Sequence, residues 1–173
     1  GETIAFIGHT GSGKSSIVQL LMKAYMPTSG SIDVNGIDIA NLETNEYRNL
    51  MGIVPQDVFL FSDTIENNIR FGNANASLEE VTKAAQIADL HENILGFEEK
   101  YETLLGERGI NLSGGQKQRL SIARAIISNP EILLLDDCLS AVDTQTDEKI
   151  MRGLKEVREG KTNIIISHRI SSV

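Results

Sequence analysis

Residues 4–16 have the sequence IAFIGHTGSGKSS, and this stretch decides the fold. Its first four residues form a continuous apolar run, which is typical of a strand buried on both faces of a sheet. Apolar residues then recur at Ile17, Leu20, Leu21 and Ala24, the spacing of an amphipathic helix. The segment between them matches G-x-x-x-x-G-K-[ST] in full and lies in the strand-then-helix context that this pattern requires. The sequence therefore predicts a strand, a glycine-rich loop and a helix in succession.

The loop between this strand and helix has the composition of an anion-binding site. Glycines let the backbone curl so that its N–H groups point at phosphate oxygens, and the helix N-terminus adds a partial positive charge. We expect Lys14 to reach the β- and γ-phosphates of a nucleotide and the Ser15 hydroxyl to bind Mg²⁺. His9 is expected to be a spacer. The residues predicted to hold the nucleotide are Gly8, His9, Thr10, Gly11, Ser12, Gly13, Lys14, Ser15 and Ser16.

Two further apolar runs, residues 132–135 and 164–166, have the composition of buried strands. Helical periodicity separates them from the first strand, and Ser77 with Glu80 forms a possible capping box. Buried strands that alternate with helices predict an α/β domain with a mainly parallel sheet. The predicted later helices are residues 78–96, 120–127, which Asn129-Pro130 ends, and 150–157, which Gly160 ends.

Two stretches depart from this alternation. Residues 31–40 alternate apolar and polar side chains around Asn35-Gly36, a signal for an antiparallel β-hairpin. Residues from about 61 to 119 carry helical signals without a continuous apolar strand. We therefore expect one domain over residues 1–173, with a nucleotide-binding core formed by about 1–60 and 120–173 and a helical subdomain inserted at about 61–119.

An acidic residue, Asp136, follows the apolar run at 132–135. A carboxylate there lies at the carboxyl edge of the sheet, beside the glycine-rich loop, where open α/β folds bind ligands. Taken alone, such an aspartate is often a cap or a turn residue, but beside the loop we expect it to hold Mg²⁺. The two elements together resemble the P-loop NTPases, which implies a RecA-like, mainly parallel sheet.

Residues 112–119, LSGGQKQR, resemble the signature motif of the ATP-binding-cassette (ABC) ATPases. Their position, about 20 residues before Asp136, also fits that family. A serine followed by two glycines at the start of a helix forms a second anion-binding helix terminus, although the same pattern suits a plain N-cap. The resemblance implies that four residues face the γ-phosphate bound on an opposite subunit, namely Ser113, Gly114, Gly115 and Gln116.

The resemblance to this family extends through most of the chain. It implies that Gln56 senses Mg²⁺ and the attacking water, so that Mg²⁺ would be held by Ser15, Gln56 and Asp136. Residues 140–143, SAVD, resemble the family's D-loop. His168 resembles the switch histidine that contacts the γ-phosphate, whereas a lone histidine after a strand is more often structural. The activity implied is hydrolysis of ATP with Mg²⁺.

Two stretches resemble the exporter branch of the family, residues 56–69 and residues 105–109, LGERG. The resemblance implies that the region around Gln56, together with Glu107, contacts a transmembrane domain, so the chain would lie at the cytoplasmic face of a membrane. The second partner implied is another ABC cassette. Complete cassettes carry an upstream aromatic residue that stacks on adenine, and residues 1–7 offer only Phe6. We therefore expect a fragment, with a fused transmembrane domain upstream.

Asp137 departs from the family pattern, which has a glutamate after the metal-binding aspartate. That glutamate polarises the attacking water, and an aspartate is shorter by one C–C bond, about 1.5 Å. Misplacing a catalytic group by ~1 Å can lower the rate ~10²-fold. The catalytic residues implied are Asp137, His168 and Gln56. This departure resembles the degenerate sites of heterodimeric exporters and favours a heterodimer, although a backbone shift could restore Asp137's reach in a homodimer.

Composition excludes some function classes. The net charge is −8, from 16 basic and 24 acidic residues, which argues against general nucleic-acid binding. The lone Cys138 cannot form an internal disulfide, and it is expected to be a packing residue. Two alternatives to an export cassette stay open. One is a non-transport ABC ATPase of DNA repair, chromosome organisation or translation, and the other is a nucleotide-dependent dimerisation module without useful hydrolysis.

Overall fold

A computed structural model describes residues 1–9 and 11–168. The strands are β1 (Thr3–Ile7), β2 (Asp33–Val34), β3 (Ile37–Asp38), β4 (Met51–Val54), β5 (Ile132–Asp136) and β6 (Thr162–Ser167). The helices are α1 (Lys14–Leu21), α2 (Thr44–Asn49), α3 (Ile65–Arg70), α4 (Leu78–Ile87), α5 (His91–Leu95), α6 (Gly114–Ile126) and α7 (Thr144–Val157). Short 3-10 turns cover Ile39–Asn41, Lys100–Glu102 and Glu107–Gly109.

Four strands form one parallel sheet in the order β1-β6-β5-β4. The predicted α/β class with a parallel core is confirmed. In register, Ile7 lies opposite Ser167, Asp136 opposite Ile166, and Val54 opposite Leu135. The carboxyl ends of all four strands therefore meet at one edge of the sheet.

Apolar side chains cover both faces of this sheet, as parallel sheets require. Leu133, Leu135 and Ile165 face a large cluster built with the later helices. Leu134 and Ile164 face a second cluster that includes Val18 of α1. This division follows from the alternation of side chains along a strand. The central strands are thus buried as their apolar runs predict.

The strand β1 is less buried than predicted. Ile4 and Ile7 remain 45% and 46% exposed, although Ala5 and Phe6 pack against the two clusters. The reason is position, because β1 pairs only with β6 and forms an edge of the described sheet. The expectation that all three apolar runs are buried on both faces is wrong for this strand.

The hairpin predicted around Asn35-Gly36 is present, with Val34 opposite Ile37 in an antiparallel pair. Asn35 and Gly36 have φ of 52° and 78°, the left-handed conformation that a two-residue type I′ turn needs. Local turn chemistry therefore determines this element.

Two helices end earlier than their periodicity suggested. Lys23 has φ of 55°, so α1 stops before Ala24. The helix α4 ends at Ile87, with Ala88 as its C-cap, and Asp89 has φ of 51°. A separate helix starts at His91, so residues 78–96 are two helices and not one. A residue in the left-handed region is a common helix terminator. The division of the chain at about residues 60 and 120 stays a prediction. In the described part of the chain, every helix is too short or too polar to cross a bilayer.

Candidate nucleotide site

The segments that the sequence predicts as a nucleotide site leave adjacent strands at the same edge of the sheet. The glycine-rich loop follows β1, His168 follows β6, Asp136 ends β5, and Gln56 lies two residues beyond β4. Because this edge is where open α/β sheets bind ligands, the topology alone brings the predicted groups together.

The backbone of the loop after β1 is curled by its glycines. Gly11 and Gly13 have φ of 83° and 93°, which L side chains rarely adopt. A Cβ on Gly8 would lie 2.8 Å from Ser12 Oγ, so a side chain there would disturb the loop. Thr10, one of the residues predicted to hold the nucleotide, lies outside the described residues.

The helix α1 begins directly after this loop without a side-chain cap. Gly13 occupies the N-cap position, and the first turn contains no acidic residue. Ser15 and Ser16 are exposed in that turn. Within this turn, Ser16 N donates to the Gly13 carbonyl oxygen at 3.0 Å. The N-terminus of a helix carries a partial positive charge and N–H groups that attract anions, so this terminus can bind one.

Lys14 is 8% exposed, and its ammonium group lies inside the loop. Its Nζ donates to the Gly8 and His9 carbonyl oxygens, the latter at 2.8 Å, and to Ser12 Oγ at 3.3 Å. Three acceptors from one short segment surround a single cation. Phosphate oxygens can replace these neutral acceptors with charged ones, which bind an ammonium more strongly.

Asp136 is half-buried at the end of β5. Burial raises its pKa above the ordinary value, and the neighbouring Asp137 raises it further, while His168 and Lys14 lower it. Four charged or titratable groups, from the ends of β5 and β6 and from the loop, thus share one electrostatic environment. A cation bound beside Asp136 would relieve the cost of holding its charge there.

Hydrogen bonds of Asp137 and His168 hold the ends of β5 and β6 together beyond the sheet. Asp137 N donates to the Ile166 carbonyl oxygen at 2.8 Å, and Asp137 Oδ1 accepts from His168 N at 3.4 Å. The imidazole Nδ1 of His168 lies 3.0 Å from the Gly8 carbonyl oxygen. Two of the three predicted catalytic residues therefore contact each other, through the backbone N–H of His168, and the His168 imidazole also contacts the glycine-rich loop.

The residues predicted to hold Mg²⁺ have the right chemistry for that ion. Ser15, Gln56 and Asp136 offer a hydroxyl, an amide and a carboxylate, all oxygen donors, at one edge of the sheet. Mg²⁺ prefers oxygen and is bound through one or two carboxylates, with phosphates and water completing its shell. The described residues contain no group of three or more His, Cys, Asp or Glu side chains placed to hold a metal. The donor set fits an ion that arrives with a nucleotide.

The signature segment, residues 113–116, starts α6 with a capping box. Ser113 Oγ accepts from Gln116 N at 3.2 Å, and Gln116 Oε1 accepts from Ser113 N at 2.9 Å. Ser113 and Gly114 are exposed. The segment therefore presents an exposed helix terminus that can meet an anion from outside the chain.

The signature segment contacts the D-loop, residues 140–143. A Cβ on Gly115 would lie 3.0 Å from the Ala141 carbonyl oxygen, so the two backbones approach closely. Gln118 of α6 is 7% exposed and bonds to both Ser140 and Ala141. Sequence reasoning missed Gln118. The signal was present, because Gln118 lies one helical turn before the buried Ile122 and so places an amide on the buried face.

The two exporter-like stretches meet in an open groove of about 620 Å³, which we call the aromatic groove. Glu107 is exposed at its rim. Gly109 has φ of 65°, and a Cβ there would lie 2.7 Å from Leu60 Cδ1, so this glycine lets the two stretches pack together. The groove is lined by Phe59, Leu60, Phe61, Ser62, Glu107, Arg108, Ile110 and Lys117.

Arg124 of α6 supports the floor of this groove. Its guanidinium donates to the carbonyl oxygens of Phe59 and Asn68 at 2.7 and 2.8 Å and to Asn68 Oδ1 at 2.8 Å. It also lies over the rings of Phe61 and Phe71, 5.4 and 5.7 Å from their centroids. Burial lowers the pKa of Arg124 to about 10, which leaves it charged at neutral pH. The groove and the signature segment therefore share one helix.

Comparisons with known proteins agree with this architecture. A family model described as ABC transporter matches residues 1–140. ATP-binding cassette sub-family B member 6 of Xenopus tropicalis is 48% identical over all 173 residues, which are 20% of that protein. Heavy metal tolerance factor 1 of Caenorhabditis elegans is 46% identical over the whole chain, 22% of its length.

A solved structure agrees in fold as well as in sequence. The structure of a bacterial Atm1-family ABC exporter with ATP bound superposes with a TM-score of 0.96 and 44% identity, over 99% of this chain and 30% of that one. The chain thus spans less than a third of the length of these relatives. The family match and the shared fold together assign this chain to a family. The chain belongs to the ABC transporter family, as an ATP-binding domain with exporter-type relatives, and this is a family of ATPases coupled to transport.

Proposed function

We propose that this chain binds and hydrolyses ATP to power export of a substrate across a membrane. One observation carries the proposal. The glycine-rich loop with Lys14, the Asp136–Asp137 pair and His168 converge on one edge of the sheet, while an exposed signature segment opens another helix. The solved relative is an exporter with ATP bound, and this supports the same function for the chain.

Nucleotide binding is the task of the loop and α1. Lys14 exchanges its neutral acceptors for the β- and γ-phosphates, and the N–H groups of the loop and of the first turn of α1 hold the remaining oxygens. Ser15, Gln56 and Asp136 would hold Mg²⁺. When bound, the ion would neutralise charge on the phosphates as the γ-phosphoryl group passes to water.

Hydrolysis is the task of the β5 and β6 ends. Asp137 orients and polarises the attacking water, and His168, already in contact with Asp137 and Gly8, contacts the γ-phosphate. Gln56 completes this set from the end of β4. The Asp137 carboxylate is retracted by about 1.5 Å relative to a glutamate, so we propose that this chain's own site hydrolyses ATP slowly.

Dimer closure is the task of the signature segment. Residues 113–116 dock against the γ-phosphate held by a second cassette, so two cassettes close head to tail around ATP. Hydrolysis and product release reopen them. We propose a heterodimer, because a weakened Asp137 beside an intact signature segment suits a chain that completes the site of a more active partner.

Coupling to the membrane is the task of the aromatic groove. Phe59 and Ile110 are 55% and 80% exposed, and Glu107 lies at the rim. Exposed apolar side chains around a concave surface are typical of a docking site. The partner we propose is a transmembrane domain at the cytoplasmic face of a membrane, joined to this chain or carried by another.

The experiment separates nucleotide binding from closure. Lys14→Ala removes the charge that faces the phosphates, so we expect most MgATP affinity to be lost in calorimetric titration. Ser113→Arg puts bulk and charge where the opposite γ-phosphate docks, so binding should persist while nucleotide-driven association with the partner cassette fails in light scattering. Export by the complete protein should fall in both variants.

Ser77→Arg is the matched control, because Ser77 caps α4 with the same capping box that Ser113 forms on α6. It should leave association intact. Unchanged MgATP affinity in Lys14→Ala would contradict the assignment of the loop. Normal association in Ser113→Arg would contradict the role of the signature segment across the dimer.

A further inference from the structure

Gln118 has a buried amide that joins two functional segments. Its Nε2 donates to Ser140 Oγ at 3.3 Å, and its Oε1 accepts from Ala141 N at 3.0 Å. The side chain is 7% exposed. One amide thus binds a side chain and the backbone of adjacent D-loop residues, which fixes both the position and the orientation of the loop.

A second contact reinforces the first. The Ala141 carbonyl oxygen lies against Gly115, where even a methyl group would approach to 3.0 Å. Gly115 and Gln118 are nearly one turn apart on α6, so they meet the D-loop with the same face of the helix. The signature segment and the D-loop therefore form one packed unit.

The D-loop in turn leads directly to Asp137. Ser140 N donates to the Asp137 carbonyl oxygen at 3.4 Å, and Val142 N donates to the Leu139 carbonyl oxygen at 3.1 Å. These bonds make residues 137–142 a compact turn. A displacement of Ala141 would therefore reach the backbone that carries the Asp137 carboxylate.

A buried amide is costly unless its hydrogen bonds are made, and an apolar side chain of similar length could fill the same space. The two bonds of Gln118 are directional, whereas apolar packing would let the D-loop slide over α6. The directional bonds therefore indicate that the Gln118 side chain positions the D-loop.

We propose that Gln118 is a positioning residue that locks the D-loop to the signature segment and thereby couples the two ATP sites of the dimer. This inference rests on the proposed function, in which Asp137 serves the chain's own site and residues 113–116 serve the partner's site. Closure of one site then sets the geometry of the other through Gln118.

The test compares Gln118→Met with Gln118→Glu in the complete protein. Methionine keeps the length of the side chain but removes both hydrogen bonds, while glutamate keeps the acceptor for Ala141 N and can accept from the Ser140 hydroxyl. For Gln118→Met we expect kcat for ATP to fall about 10-fold or more and the dependence of rate on ATP concentration to lose cooperativity. Binding of a fluorescent ATP analogue should stay within about twofold. Gln118→Glu should recover most of the cooperativity.

Gln86→Met is the matched control, an exposed glutamine on α4 that receives the same change. It should behave like the wild type. Wild-type kcat and cooperativity in Gln118→Met would overturn the proposal. So would a lower melting temperature with unchanged kcat per folded molecule, since that is the result of a purely structural role. If Ser113→Arg also leaves ATP hydrolysis unchanged, the proposed function fails, whereas failure of Gln118→Met alone leaves it standing.

Discussion

Position 137 combines a short carboxylate with an unusual backbone. Asp137 has φ of 46°, in the left-handed region that Asp and Asn enter more readily than other non-glycine residues. Its carboxylate accepts from His168 N at 3.4 Å, which directs one oxygen toward the end of β6. Aspartate thus suits the backbone conformation at this position. Glutamate is longer and therefore better suited to reach a water beside the γ-phosphate.

Asp137→Glu should therefore increase hydrolysis at this chain's own site. If geometry alone limits the rate, the gain is up to ~100-fold, equivalent to about 2.7 kcal/mol in the barrier. Single-turnover hydrolysis with purified protein measures it. The melting temperature should fall slightly, because glutamate tolerates the left-handed conformation less well.

Asp137→Ala is the companion variant, and it should change the total rate of a heterodimer little. Equal single-turnover rates for the wild type and Asp137→Glu, in a dimer of this chain alone, would refute the slow-site hypothesis. The backbone would then already bring Asp137 within reach of the water.

Among the elements, α3 and the loop before it depend on one buried side chain. Asn68 is fully buried, and its Oδ1 accepts from Phe61 N at 2.9 Å and from Arg124 at 2.8 Å. Its Nδ2 donates to three carbonyl oxygens, those of Phe61, Asp63 and Thr64, at 3.0, 3.3 and 3.0 Å. This single amide closes the turn that forms one wall of the aromatic groove and ties it to α6.

Asn68→Ala should destabilise the domain strongly. It leaves Phe61 N and one guanidinium donor of Arg124 without their acceptor in a buried site, at about 1–3 kcal/mol for each group. We expect the free energy of unfolding to fall by about 3 kcal/mol or more, measured by urea denaturation. The adjacent Asn67 is exposed, and its Nδ2 donates to Asp63 Oδ1 at the surface. Asn67→Ala should stay within about 1 kcal/mol of the wild type, and equal losses for the two variants would contradict the role of Asn68.

In the whole molecule, the helix α6 connects surfaces that have different proposed functions. Its first turn carries the signature segment, Gln118 contacts the D-loop, and Arg124 near its other end supports the aromatic groove. A 13-residue helix rises about 20 Å at 1.5 Å per residue. A rigid helix of this length can transmit a shift at the groove to the ATP-facing terminus.

Ile110→Ser should uncouple the groove from the membrane partner without harming nucleotide binding. Ile110 is 80% exposed, and burying such a side chain on docking contributes roughly 1.5–3 kcal/mol. In the complete protein we expect substrate stimulation of ATP hydrolysis to fall about 10-fold, since 1.4 kcal/mol corresponds to that factor. MgATP affinity should not change.

The control for the groove is Leu78→Ser, which removes an apolar side chain that is 51% exposed at the start of α4. This variant should keep full stimulation. Equal effects of the two substitutions would show that general surface polarity and not the groove sets the coupling. Unaltered stimulation in Ile110→Ser would remove this residue from the docking surface.

The sequence by itself determined the structural features that depend on residues close together in the chain. The capping boxes at Ser77 and Ser113 join residues three positions apart, and the hairpin at Asn35-Gly36 pairs residues no more than five positions apart. Local backbone preferences and short hydrogen bonds are visible in a linear pattern. The motifs also identified the family. Each motif follows a strand or opens a helix, so the order and spacing of the motifs along the chain reflect the order in which the strand ends reach the site.

Only the tertiary structure decided which long-range partners meet. Gln118 bonds to Ala141 across 23 residues and Arg124 to Asn68 across 56, and no linear pattern specifies such pairs. The exposure of β1 at the sheet edge likewise depends on strand order, which the apolar run alone does not encode. Burial and hydrogen bonding across the chain arise when elements pack, so these features required the folded chain.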